Sequence, residues 1–391
     1  MNKVITTERV PIKLWLDDIE DGALSQARNL ANLPFVFKQI AIMPDSHQGY
    51  GMPIGGVMAT QDVIVPNAVG VDIGCGMCAV KTSLQETNNE VLKKIMGEIR
   101  KVVPVGFKHQ KRRQDNALMP HEDINGTAIV QKEHDNALKQ IGTLGGGNHF
   151  IEIQQGSDGH IWIMVHSGSR NLGYKVANHY NNLAVELNEK WASTVPKKWE
   201  LAFLPLDSKQ GRMYLKEMQY CIGFALANRK LMMDRITEIV FNTIKDIGNN
   251  AGFDKMINIA HNYANMENHF GRNVMVHRKG ATLAREDTKG IIPGSQGTNS
   301  YIVKGKGNPE SFQSCSHGAG RVMGRKQAQR ELNLEEEKSK LEEKGIIHSI
   351  RGRKDLDEAS GAYKDISVVM QNQSDLVDIQ VELKPLAVIK G

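Results

Sequence analysis

The chain has 391 residues, 40% hydrophobic and 24% charged, so it can bury a sizeable core as one large or two ordinary domains. Its 49 Lys and Arg against 44 Asp and Glu give a formal charge of +5, which permits a polyanionic ligand without requiring one. Aromatics at 6% argue against a surface dominated by base-stacking platforms, and four cysteines are too few for a disulfide scaffold of this length.

The N-terminal MNKVITTERVPIKLW lacks the apolar core of a secretory signal, and no apolar run long enough to span a bilayer follows, so a cytoplasmic enzyme is expected. VDIGCGMCAV (71–80) reads as strand, tight turn, strand, with Cys75 and Cys78 in a C-x-x-C spacing. Residues 88–101 carry apolar positions at helical spacing. The run 209–247 is strongly helical and predicts two helices broken near Ala227–Asn228. IWIMVHSGS (161–169), MINIAHN (256–262), VMVHRKG (274–280) and SYIVKG (300–305) are β-like runs ending in polar or glycine-containing turns, and three of them deliver a histidine near the strand end. Residues 324–344 predict one charged surface helix with Glu–Lys pairs at i,i+4. No repeat or low-complexity linker interrupts the chain. The expectation is a single mixed α/β body over 1–391, with a site assembled from strand ends.

Thirteen histidines are scattered along the chain, but five share a local logic: His47 in MPDSHQGYG, His149 in GGGNHFIEI, His166 in MVHSGSR, His261 in NIAHN and His317 in SCSHGAGR. Singly, each is more simply a satisfied loop or core histidine. Together with Asp72 and Cys75 they offer thiolate, imidazole and carboxylate, a donor set suited to a borderline transition metal. A structural zinc site wants a second close ligand pair, and a redox dithiol wants its C-x-x-C at a helix N-terminus; neither context is present. Ligands dispersed over nearly 200 residues favour a catalytic centre built by the fold. GTLGGGNHF, IIPGSQGTNS and SHGAGR can each present backbone N–H groups to phosphate oxygens, although none is a P-loop and glycines mostly mark turns. His317, followed by Gly-Ala-Gly-Arg, is placed to act as a covalent nucleophile in group transfer.

These stretches, with GVDIGCGM, HNY, RKGA, PGSQG, SHGAGRVM, AYKD and the terminal VIKG, make the chain similar to the RtcB family of RNA ligases from residue 1 to Gly391. The resemblance implies an α/β body with central sheets flanked by helices. It implies an enzyme that joins RNA ending in a 2′,3′-cyclic phosphate or 3′-phosphate to RNA with a 5′-hydroxyl, using GTP and two Mn²⁺ ions. It assigns Asp72, Cys75, His149, His166 and His261 as manganese ligands, Cys75 bridging, with Asp72 and His149 on one ion and His166 and His261 on the other. It assigns His317 as the guanylylated nucleophile. The guanylate pocket carries over as Asn148, His149, Phe150, Ile151 and Glu152, then His261 and Asn262. Pro293, Gly294, Ser295, Gln296 and Ser300 follow, then His317, Gly318, Ala319 and Gly320, with Tyr363 and Lys390 against the base. Glu152 would read the guanine N1–H and amino group. Arg170, Arg321 and Arg325 would contribute to a basic RNA path whose affinity falls with salt.

One stretch departs from the family pattern. Where well-studied members read D-V-H-x-G-K-G, this chain has DSHQGYG, with Ser46 and Tyr50 at the variable places. A charge near the RNA path is thereby lost, which bears on whether the substrate is a spliced tRNA or a nuclease-cut tRNA or rRNA. The metal and nucleophile set is unaffected. A phosphoesterase that opens cyclic phosphates without sealing would need neither His317 nor Lys390, and a catalytically inactive RNA-binding protein would show an eroded ligand; none is eroded. Cys78 receives no role.

Overall fold

Two β-sheets, rather than one, set the position of every candidate residue. The computed structural model describes residues 1–391. One six-stranded sheet runs in the order Lys3–Ile5, Ile12–Leu14, Val36–His47, Ile54–Thr60, Arg272–Lys279, Asn262–His269. It is antiparallel except where Ile12–Leu14 lies parallel to residues 40–42. A seven-stranded antiparallel sheet runs Ile257–Ala260, Gly76–Lys81, Ile161–Ser167, Phe150–Gly156, Val377–Lys390, Ser300–Gly305, Lys289–Ile292. The chain passes from the second sheet to the first at a single residue, His261, which separates Ile257–Ala260 from Asn262–His269.

The four β-like runs named above all form strands, three of them largely buried and Ile257–Ala260 partly so. Gly76–Lys81 shows strand alternation: Met77 and Ala79 pack into one cluster, Cys78 and Val80 into the other, where helices cover the sheet. VDIGCGMCAV differs from its expected strand–turn–strand form. Only Gly76–Lys81 is a strand, and residues 71–75 are irregular turn.

Asn89–Val102 forms the expected helix, capped where the Asn88 side chain accepts from the Val91 N–H at 3.0 Å. Lys209–Asp246, by contrast, is one continuous helix of 38 residues. The break predicted near Ala227–Asn228 does not form: Asn228 and the adjacent Arg229 are buried and bonded outward. Asn228 accepts from the Gly142 N–H at 2.7 Å and donates to the Gly168 carbonyl at 3.1 Å. Arg229 donates through Nη1 to the carbonyls of Gly74 and Ser167 at 2.9 and 2.8 Å. These polar side chains satisfy neighbouring loops and leave their own helix intact.

Residues 324–344 are two helices, Arg325–Glu331 and Leu334–Glu343, divided at Asn333, whose side chain caps the second by accepting from the Glu335 N–H at 3.0 Å. Nor is this face wholly solvated. Glu337 is buried and accepts from Ser360 Oγ at 2.9 Å and the Gly361 N–H at 3.2 Å. No helix is long and apolar enough to cross a membrane.

Candidate active site

Antiparallel pairing brings alternate strand starts and ends to one edge of the seven-stranded sheet. Gly76 pairs with Ser167 and with Ala260, and His166 pairs with Phe150. Cys75, His166, His149 and His261 therefore meet, although they are far apart in sequence. Their donor atoms form a string. Asp72 Oδ2 lies 3.1 Å from His149 Nε2, which lies 3.4 Å from Cys75 Sγ. Cys75 Sγ lies 3.3 Å from His166 Nε2, which lies 3.4 Å from His261 Nε2.

These separations fit metal ligation: donors about 2.1 Å from a shared tetrahedral ion stand about 3.4 Å apart. The imidazoles are oriented for it as well. The Leu144 carbonyl sits 3.0 Å from His149 Nδ1 and the Asn148 carbonyl 3.0 Å from His166 Nδ1. A carbonyl only accepts, so His166 Nδ1 carries the proton and its Nε2 turns a lone pair into the cluster, while His149 Nδ1 stands between the Leu144 carbonyl and Arg170 Nη1 at 3.1 Å. Burial, then the neighbouring Asp72 carboxylate, pushes the Cys75 thiol well above its ordinary value. Burial pushes His166 and His261 well below theirs. Asp72 is held at about 2: burial opposes, but the hydrogen bond and charge of His149 and the charge of Arg170 prevail. Crowded lone pairs and a suppressed thiolate are what a cation would relieve, so the residues fit a metal. Cys75, His149 and His166 alone hold their donor atoms within 4.8 Å of one another.

Beside this string opens a cavity of about 290 Å³. Most of the expected guanylate residues line it: Asn148, Phe150, Glu152, Asn262, Pro293 through Gln296, His317 through Gly320, Tyr363 and Lys390, together with Asp72, Cys75, His166 and His261. Three do not. Ile151 falls on the opposite strand face and packs in the helix-covered core, as alternation requires once Phe150 and Glu152 face the cavity. Ser300 lies behind the wall, where its Oγ accepts from the Gly294 N–H at 3.1 Å and so shapes the Pro293–Gln296 turn. His149 borders a different cavity.

His317 stands at the cavity wall with its ring 4.7 Å from that of His261. Its Nδ1 is 2.7 Å from Asp45 Oδ2, and the same oxygen accepts the backbone N–H of His317 at 3.0 Å and of Gly318 at 3.2 Å. Asp45 is fully buried; burial would raise its carboxyl, yet His317 outweighs this and holds it below its ordinary value. Gly280 makes room for the ring: a Cβ there would lie 3.0 Å from His317 Cε1 and collide with Ile54, and its φ is +61°.

Asp45 lies in MPDSHQGYG, the stretch whose His47 is singled out above; it is 272 positions from His317, beyond the reach of local patterning. His47 lines the cavity too, but burial pushes it down to about 4. Glu358 was also missed. It is buried at the cavity, bound by Arg325 Nε at 2.8 Å, by Arg321 Nη1 at 3.0 Å and by the Tyr363 hydroxyl. Arg321 and Arg325 are therefore committed to Glu358, and Arg321 also lies 5.1 Å over the Tyr363 ring. At the base end, burial raises Glu152 to about 8 despite Lys390 and Gln154, and the same burial lowers Lys390. His277, the third strand-end histidine, is a satisfied core residue: the Val65 N–H donates to its Nε2 at 3.0 Å. Ser46 is buried, and Tyr50 is 70% exposed with its carbonyl accepting from Lys279 Nζ at 2.6 Å.

Fold and site together define a mixed α/β protein whose buried thiol–imidazole centre opens on a cavity of about 290 Å³ lined mostly by polar residues. The family profile described as tRNA-splicing ligase RtcB matches residues 26–126 and 114–391. The RNA-splicing ligase RtcB of Escherichia coli (strain K12) is 38% identical over 411 residues, covering 100% of this chain and 99% of that one. The tRNA-splicing ligase RtcB of Thermococcus kodakarensis is 32% identical over 461 residues, covering 98% and 95%, and an RNA-splicing ligase RtcB homolog of Entamoeba dispar is 33% identical over 443 residues, covering 95% and 82%. The chain belongs to the RtcB family.

Proposed function

We propose that this protein is an RNA ligase acting in RNA repair or tRNA splicing, joining a 2′,3′-cyclic phosphate or 3′-phosphate end to a 5′-hydroxyl end at the expense of GTP. The single observation that carries the reading is His317, fixed through Nδ1 by buried Asp45 at the wall of a cavity of about 290 Å³ that shares that wall with the donor string. With Nδ1 engaged, the Nε2 lone pair is the free nucleophile. It attacks the α-phosphorus of GTP, the bond to the bridging oxygen breaks, and pyrophosphate leaves. A cyclic end is first opened by water to a 3′-phosphate. The 3′-phosphate oxygen then takes GMP from Nε2, and the 5′-hydroxyl attacks the activated phosphorus and expels GMP.

Asp72, Cys75, His149, His166 and His261 would hold the manganese, which bound there would neutralise the phosphates being exchanged. The soft thiolate and imidazoles favour manganese over magnesium. Asp45 stabilises the positive charge that develops on the ring during each transfer. Glu152 and Lys390 mark the base end, and glycine-rich turns at Pro293–Gln296 and Gly318–Gly320 offer backbone N–H groups to phosphate.

The test is incubation with GTP radiolabelled at the α-phosphate and Mn²⁺, followed by denaturing electrophoresis. An acid-labile label on the wild type that is absent from His317→Ala supports the nucleophile. Undiminished labelling of His317→Ala would refute it.

A further inference from the structure

The donor string lines two cavities. Asp72 borders both: the 290 Å³ guanylate-type cavity, and a second of about 390 Å³ that also takes in His149, Phe107, His109, Arg170 and Tyr174. We propose that this second cavity seats the 5′-hydroxyl end of the acceptor RNA. Its first base stacks on Phe107 and Tyr174, and its phosphates are drawn by Lys108, Lys111 and Arg112. The inference rests on the ligase reading above and assigns a place to its second substrate.

Three independent observations converge here. Phe107 is 103% exposed and Tyr174 51% exposed at the same cavity, in a chain with few aromatics. Large apolar rings left in water beside a polar cavity are what a base-stacking platform requires, since every base offers a π-face. The segment FKHQKRR supplies the charge: Lys108, Lys111 and Arg112 are exposed and form no ion pair, whereas Arg113 is neutralised by Asp135 at 2.6 Å. Free cations next to exposed rings suit a strand's phosphates and bases together. Arg170 adds a donor at the floor. Its Nε is buried without a partner, and its guanidinium fills the space a side chain at Gly145 would need.

Reaction geometry selects which strand belongs there. In the sealing step the 5′-hydroxyl oxygen forms the new P–O bond while GMP departs with the electrons of the old one. Attacking and leaving oxygens stand roughly in line, on opposite sides of phosphorus. With GMP in the first cavity, the acceptor approaches from a neighbouring space, and the second cavity adjoins the first at Asp72.

The experiment uses a short 5′-hydroxyl RNA carrying 2-aminopurine as its first base, titrated onto the full-length protein without GTP or metal. Wild type should quench the fluorophore. Phe107→Ala and Tyr174→Ala should each weaken binding by about ten-fold and remove the quenching. The double variant Lys111→Glu/Arg112→Glu should lower the salt dependence of log affinity by about two. Phe241→Ala, an exposed ring on the long helix outside both cavities, should bind as wild type does. Unchanged quenching in Phe107→Ala and Tyr174→Ala would overturn the proposal. So would quenching confined to an RNA labelled at a 3′-phosphate end. Because binding is read without nucleotide, failure of His317 labelling would sink the ligation chemistry and leave this result standing.

Discussion

If Glu152 reads guanine as proposed, recognition should depend on pH, and the size of the effect can be worked out. The carboxyl is buried at the base end of the cavity, and its pKa stands at about 8 against an ordinary 4.5. Reading the guanine N1–H and amino donors needs the carboxylate, an acceptor on both oxygens, whereas the protonated acid presents a donor to one of them. For a pKa of about 8 the ionised fraction is about 1% at pH 6, about 10% at pH 7 and about half at pH 8. Apparent affinity scales with the competent fraction, so guanosine should bind about 50-fold more tightly at pH 8 than at pH 6, releasing a proton.

Calorimetry with guanosine, which carries no titrating phosphate, measures both the slope and, across buffers of different ionisation enthalpy, the proton. Adenosine should show no such slope. Glu152→Gln should bind guanosine weakly and independently of pH, about 10- to 100-fold below wild type at pH 8, the worth of a charge-assisted hydrogen bond. A flat wild-type profile, or an undiminished slope in Glu152→Gln, would refute the assignment. The same group affects stability. Its folded pKa is raised, so the unfolded chain sheds the proton near pH 4.5 while the folded chain keeps it to about 8. Stability of the nucleotide-free protein should fall across that window by about 1.4 kcal/mol per pH unit from this group and level off above it.

Asp45→Asn removes the charge that holds His317 Nδ1, and single-turnover labelling should slow about 100-fold, equivalent to about 3 kcal/mol, with the melting profile still cooperative. Cys75→Ser should abolish retention of manganese by gel filtration and metal analysis together with sealing. Cys78→Ser should keep both, because its thiol is buried, pushed up to about 12, and faces the Arg229 carbonyl at 3.8 Å, which a hydroxyl also satisfies. Asn228→Ala should cost about 2–5 kcal/mol in urea unfolding, since it strands the Gly142 N–H and the Gly168 carbonyl in the interior.

The strand ends were legible because their signal is local. A β-like run closing on histidine or cysteine and glycine states its own geometry, and antiparallel pairing then gathers such ends at one sheet edge without further information. The Asp45–His317 pair was not legible, because a single sequence carries no sign that positions 45 and 317 touch. The same holds for Glu358, which lies in RKDLDEAS, a run that reads as solvated charge until Arg321, Arg325 and Tyr363 close on it. The long helix misled in the opposite way. Asn228 weakens a helix taken alone, and only the loops at 74, 142–143 and 167–168 show that its side chain and that of Arg229 are spent on other backbone groups.

VDIGCGMCAV brings these two kinds of information together. A dithiol requires both cysteines on the same side of the backbone, yet Cys78 sits inside a strand and Cys75 just before it. Side-chain alternation sends Cys78 with Val80 toward the long helix, away from Met77 and Ala79. Cys75, released from that alternation by the turn, places its sulfur between His149 and His166 at 3.4 and 3.3 Å. Joining the two sulfurs would pull Cys78 out of the core between sheet and helix and take Cys75 from the centre of the donor string. The C-x-x-C spacing is therefore one member of the donor string and one core residue, separated by where the strand begins.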